Sequence, residues 1–72
     1  MKVYTSRSSV YEVGPNGEGT GFVAEKIEAP EGQVTRIPTG RRFEGTVLIV
    51  NMEKGEMILG GLVLRGITKV ES

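Results

Sequence analysis

Apolar residues along this chain come in short runs, and glycine, proline or asparagine cuts them roughly every eight to twelve residues, the rhythm of an all-β domain. Ser9-Val10-Tyr11-Glu12-Val13 alternates, then meets Gly14-Pro15-Asn16-Gly17, where proline presets one φ and Asn-Gly tolerates positive φ. A second strand is expected over Gly21 to Ala29. Phe22, Ile27 and Ala29 do not form an i, i+3, i+4, i+7 stripe, and Pro30 closes the segment, although a helix is the competing reading there. Turns are expected at Pro30-Glu31-Gly32-Gln33, Pro38-Thr39-Gly40 and Glu53-Lys54-Gly55-Glu56, and a break or bulge at Gly60-Gly61. Between them lie Thr46 to Met52, Met57 to Leu59, Leu62 to Arg65 and a last strand, Ile67 to Glu71. Thr46 to Met52 is apolar on both faces at its centre, which predicts burial on two sides.

Short, glycine-bearing strands of this kind avoid exposed edges by closing into a small barrel. The expected architecture is therefore all-β, a bent antiparallel barrel of Sm-like or SH3-like type. It is expected as one domain, residues 1–72, in which 34–72 form the barrel core and 1–33 an N-terminal hairpin extension. Ser6-Arg7-Ser8-Ser9 is polar enough to act as a hinge. At 72 residues the apolar core only just offsets the entropy of ordering the chain, so burial between subunits is expected, as a homo-oligomer joined through strand edges.

Composition narrows the chemistry. The chain has no Cys, His, Trp or Asp, so a disulfide, a zinc site, a cysteine nucleophile and a histidine base are excluded. The nine glutamates offer no evident acid–base pair, and Glu53 and Glu56 read as solvated turn residues. Gly14 to Gly21 is rich in glycine but lacks the lysine and following helix of a phosphate-binding loop. No enzyme, cofactor or metal is expected. The longest uninterrupted apolar run, Val47 to Val50, is far below the roughly 20 residues of a membrane helix, and Met1 to Thr5 carries no signal-like hydrophobic region. A cytoplasmic protein, without a membrane partner, is expected.

Nine Lys and Arg balance nine Glu, so no global charge draws the chain to nucleic acid. Local chemistry is another matter. Arg36, Arg41, Arg42 and Arg65 are candidate phosphate contacts, because a guanidinium fork engages phosphate bidentately. The alternative is that Arg36, Arg41 and Arg42 are solvated charges paired with Glu44 or Glu31. Gly66 beside Arg65 either admits a ligand close to the backbone or simply turns the last strand. Of four aromatics, Tyr4, Tyr11, Phe22 and Phe43, the last is expected in the core, so a stacking platform is poorly supplied.

Gly40-Arg41-Arg42-Phe43-Glu44-Gly45-Thr46-Val47-Leu48-Ile49-Val50-Asn51 resembles the first signature of the Sm/LSm family of RNA-binding rings. Leu59-Gly60-Gly61-Leu62-Val63-Leu64-Arg65-Gly66, with Val70 beyond, resembles the second. The resemblance spans Val34 to Ser72. It implies a five-stranded bent barrel, edge-to-edge ring assembly and binding of single-stranded, often uridine-rich, RNA. Arg65 and Gly66 match the family's RNA-contacting positions, Asn51 matches more loosely, and Arg41 and Arg42 stand beside the first signature. The loop Asn51-Met52-Glu53-Lys54-Gly55-Glu56 lacks the family's base-reading amide, and the interval between the signatures is compressed. Gly45 to Val50 and Val63 to Gly66 are also loosely similar to the trp RNA-binding attenuation protein family, another all-β ring. Thr5 to Val13 resembles the start of short uncharacterised actinobacterial phage proteins. That likeness implies no activity, but it puts a phage accessory or structural protein, acting on a host or phage partner through protein–protein assembly, beside the RNA reading.

Overall fold

A computed structural model describes residues 1–17, 19–30, 32 and 36–72. They are all-β and antiparallel, as the sequence predicts. Eight strands run in chain order: β1 (Lys2–Thr5), β2 (Val10–Pro15), β3 (Phe22–Glu28), β4 (Arg42–Gly45), β5 (Leu48–Asn51), β6 (Glu56–Leu59), β7 (Leu62–Leu64) and β8 (Ile67–Glu71). The competing helix over Phe22 to Ala29 is ruled out by β3, which pairs along its length with β2. No helix among the described residues is long and apolar enough to cross a membrane.

Two corrections concern the architecture. The strands form a five-stranded sheet, in the order β4-β3-β2-β1-β8, and a three-stranded sheet, β5-β6-β7, rather than one closed hydrogen-bonded barrel. Nor is the N-terminal third an appended hairpin, because β1, β2 and β3 supply the middle of the larger sheet. The C-terminal half therefore does not fold into a cylinder of successive strands. It is divided between the two sheets.

The division happens at two corners. β4 runs into β5 across Thr46-Val47, and β7 runs into β8 across Arg65-Gly66, so each edge of the small sheet continues into an edge of the large one. Strands that switch sheets through a bend are the usual way to turn such corners. Inward-facing residues from both sheets then meet as one core: Val3, Tyr11, Val13 and Ala24 from the large sheet, and Met57, Leu59, Leu62 and Leu64 from the small one, with Ile67. The registers explain the sorting. Val3 lies opposite Tyr11, Val13 opposite Ala24, Met57 opposite Leu64 and Leu59 opposite Leu62, so strand alternation sends each pair to one face. Phe43 packs partly buried against this core, as its place in the sequence pattern suggests.

The turns follow their residue chemistry. The Asn16 N–H donates to the Gly21 carbonyl at 2.9 Å, and the Asn16 side chain accepts from the Thr20 N–H at 3.2 Å. The Arg41 N–H closes the Pro38-Thr39-Gly40 turn onto the Pro38 carbonyl at 3.1 Å. The expected Pro30 to Gln33 turn rests in part on Glu31 and Gln33, which lie outside the described residues, as does Val34. Gly60-Gly61 is not a bulge: Leu59 pairs with Leu62, so the two glycines are the whole loop of a tight hairpin, with positive φ at Gly60. Ser6-Arg7-Ser8-Ser9 is a hydrogen-bonded turn rather than a hinge. The Ser8 N–H donates to the Thr5 carbonyl and the Thr5 N–H to the Ser9 carbonyl, each at 3.0 Å.

The first corner is a backbone crossing with no room for side chains. A Cβ on Gly21 would lie 2.5 Å from the Gly45 carbonyl oxygen, one on Gly45 would lie 2.8 Å from the Gly60 nitrogen, and one on Gly60 would lie 2.5 Å from the Glu44 carbonyl oxygen. The start of β3, the β4–β5 corner and the β6–β7 turn therefore touch backbone to backbone. Gly60→Ala combines that clash with a positive φ and is expected to cost about 3 kcal/mol or more. Gly61→Ala, with open space around it, is expected to change stability by less than about 1 kcal/mol. Urea unfolding of the two variants checks the contrast.

The chain ends are joined by β1–β8 pairing, and a side-chain latch lies on it. The Tyr4 hydroxyl donates to the Glu71 carboxylate at 2.5 Å, and the Lys69 ammonium sits 3.1 Å from the other Glu71 oxygen. The Tyr4 hydrogen bond, then Lys69, hold the Glu71 carboxyl below the usual carboxylate range. The same hydrogen bond raises the Tyr4 phenol. A depressed carboxylate stabilises the fold above its unfolded pKa and loses that contribution as pH falls through the folded value. An NMR titration is expected to place Glu71 below a free glutamate, and Tyr4→Phe is expected to move it back up.

Candidate functional site

The second corner builds a hollow. Gly66 takes φ 73° between β7 and β8, and its carbonyl accepts the Ser6 N–H at 2.7 Å, which ties the β1–β2 turn to the corner. A Cβ on Gly66 would lie 2.7 Å from the Ser6 hydroxyl, so glycine is required here on two counts. Between the turn, β2, β3, the Arg36-Ile37 segment and the end of β7 opens a concavity of about 720 Å³. Of the two alternatives for Gly66, the strand turn is plainly realised, and the turn also forms the wall of an open site.

Its lining is basic. Arg7, Lys26, Arg36 and Arg65 contribute to it, with the hydroxyl-bearing Thr5, Ser6, Ser9 and Tyr11, and no carboxylate is among the described lining residues. Four of the nine cationic side chains thus gather at one hollow of a chain whose charges sum to zero. Lys26 follows Phe22 and Ala24 on the inward register of β3, where an apolar residue would be expected, and is only 2% exposed. Its ammonium donates to the Ile37 carbonyl at 2.7 Å, and no described carboxylate lies within ion-pair distance. One acceptor leaves donor capacity on a group that carries three N–H bonds. Tyr11, also buried, has its phenol pKa raised because burial disfavours the phenolate, so it stays a neutral hydroxyl.

Arg65 is highly exposed and 3.5 Å from Glu56. A pair this open to water is worth at most about 1 kcal/mol and leaves the guanidinium available to a stronger partner. Arg36, Arg65 and Gly66 are the three expected candidates that the structure places in the hollow. The others lie elsewhere. Arg41 lies over the Phe43 ring at 5.2 Å from its centroid. Arg42 sits 3.9 Å from Glu25 and lines a separate, smaller depression of about 280 Å³ with Glu12 and Ile27. Asn51 accepts the Lys54 N–H at 3.2 Å and caps the β5–β6 turn, a structural duty that accounts for its amide.

Arg7 and Lys26 were the residues the sequence pattern hid. Arg7 sits in a turn four residues long, and Lys26 reveals itself only through strand register. No group of His, Cys, Asp or Glu among the described residues could hold a metal ion. Comparisons with family models, curated proteins and solved structures found no match for this chain.

Proposed function

We propose that the protein is a non-enzymatic binding module whose hollow takes the phosphate backbone of single-stranded nucleic acid, RNA by the Sm-like resemblance, in the cytoplasm. One observation carries this reading: Arg7, Arg36, Arg65 and the buried Lys26 line one open concavity that has no carboxylate among its described residues. Guanidinium forks at the rim suit phosphate oxygens, and the serine and threonine hydroxyls add neutral donors. The residue set favours holding over turnover, since the chain brings no His, Cys or Asp to act on a bound ligand.

The aromatic inventory shapes the mode of binding. Tyr11 is buried, Phe22 and Phe43 pack against the core, and Tyr4 is engaged with Glu71. Without exposed rings to stack bases, and with Asn51 occupied in its turn, recognition falls on the backbone and tolerates sequence. The second reading, a phage accessory or structural protein that works by assembly with a protein partner, is favoured by a separate feature, the exposed aliphatic face of β5–β7.

Fluorescence anisotropy with uridine-rich and adenine-rich oligomers tests the leading reading. Three arginine–phosphate contacts predict binding roughly 20-fold weaker at about 200 mM salt than at about 50 mM. The two oligomers are expected to bind alike. Arg65→Ala and Arg36→Ala are each expected to weaken binding several-fold, whereas Arg41→Ala and Arg42→Ala leave it near wild type. Absence of salt-sensitive binding, or equal losses at all four arginines, would remove this assignment of the hollow.

A further inference from the structure

We infer that the outer face of the three-stranded sheet is a self-association surface, on which two copies of this chain pack face to face. The inference is independent of the nucleic-acid reading. Its basis is a row of aliphatic side chains on the side of β5–β7 away from the core. Ile49 pairs with Ile58 and Ile58 with Val63, so the three stand abreast across the sheet, and they are 51%, 40% and 52% exposed. Val47, two residues before Ile49, extends the patch at the start of β5 and is 61% exposed.

This sheet is apolar on both faces, because Met57, Leu59, Leu62 and Leu64 fill its inner side. Sheets with that pattern are ordinarily covered twice. The described residues supply only the inner cover. Thr46 to Met52 carries the sequence signature of burial on two sides, and within one copy only one side is met.

A second copy is the occupant that the chemistry favours. The next row along the sheet pairs Asn51 with Glu56, and Glu56 with Arg65 in an ion pair, so the apolar row is flanked by a polar margin of no net charge. A neutral margin on a neutral chain can meet its own image without like-charge repulsion, and a two-fold axis near Ile58 would set Ile49 of each copy toward Val63 of the other. The exposed aliphatic surface is on the order of 350 Å², within the range of the largest apolar patches on lone monomers. Two such faces with their polar margins bury on the order of 1,000 Å², the lower bound of a specific interface, which predicts a reversible, concentration-dependent dimer. Face packing of this kind differs from the strand-edge ring that the sequence suggests, since it uses side chains and leaves the strand edges unpaired.

Sedimentation equilibrium across a concentration series tests the surface, with Ile58→Lys and Ile49→Lys as separate variants and circular dichroism to confirm that each is folded. The expected result is a wild-type mass that doubles with rising concentration and stops there, while both folded variants stay at the mass of one chain. In wild-type protein, concentration-dependent amide shifts are expected on β5–β7 and not on β4 or β8. A wild-type chain that is monomeric at millimolar concentration would overturn the inference. So would folded variants that associate like wild type, or a larger ring with shifts along β4 and β8. If neither variant folds, the location of the wild-type shifts decides on its own.

Discussion

Three stretches of backbone share one place in this molecule, and the fold depends on it. At Gly21, Gly45 and Gly60, carbonyl and amide groups of different strands approach where a single methyl would collide. That contact lets β4 leave the large sheet and enter the small one within two residues. With the corner made, the small sheet folds back over Val3, Val13 and Ala24, and the core closes. The opposite corner at Gly66 repeats the device with a different consequence. There the bend is pinned to the β1–β2 turn through Ser6, and the space beside it stays open.

Charge is distributed by the same geometry. A composition with equal numbers of acids and bases gives no reason to expect an anion site, yet the second corner draws Arg7, Arg65 and Arg36 toward a buried Lys26. Coulomb attraction acts over roughly a Debye length of 8 Å at physiological salt, so a local cluster matters to a ligand even when the total is zero. Two carboxylates are committed elsewhere, Glu25 to Arg42 and Glu71 to Tyr4 and Lys69, and Glu56 meets the cluster only through the exposed Arg65. The hollow and the aliphatic face adjoin at β7, where Val63 lines one and belongs to the other.

Much of the strand pattern was legible beforehand. Ile67 to Glu71 is β8 in full, and the Lys54-Gly55 turn has the positive φ at Gly55 that its glycine suggests, whereas in the Asn16 loop the positive φ falls on Gly19 rather than on Asn16-Gly17. What alternation cannot express is which strands become neighbours. β1 and β8 pair across nearly the whole chain, a long-range register that no local pattern encodes. β4 is concealed because Arg42-Phe43-Glu44-Gly45 is short and charged, with one apolar side chain to mark it. The expectation of a closed barrel came from the need to protect edges, and the corners meet part of that need without a closed ladder. Arg65 and Gly66 are singled out by their likeness to the second Sm/LSm signature, and both line the hollow, where Gly66 also turns the strand. Asn51, Arg41 and Arg42 matched a motif by type and spacing, but their side chains are directed to a turn, a ring and a carboxylate.

The central claim is that the corner around Gly66, rather than the Arg41-Arg42 strand or the Asn51 turn, meets the ligand. Amide chemical-shift mapping during titration with a single-stranded oligonucleotide tests it most directly. The account predicts shifts confined to Thr5 to Ser9, Lys26, Arg36, Ile37 and Val63 to Gly66. Shifts centred on Arg41, Arg42 and Asn51, or none at saturating oligonucleotide, would contradict it.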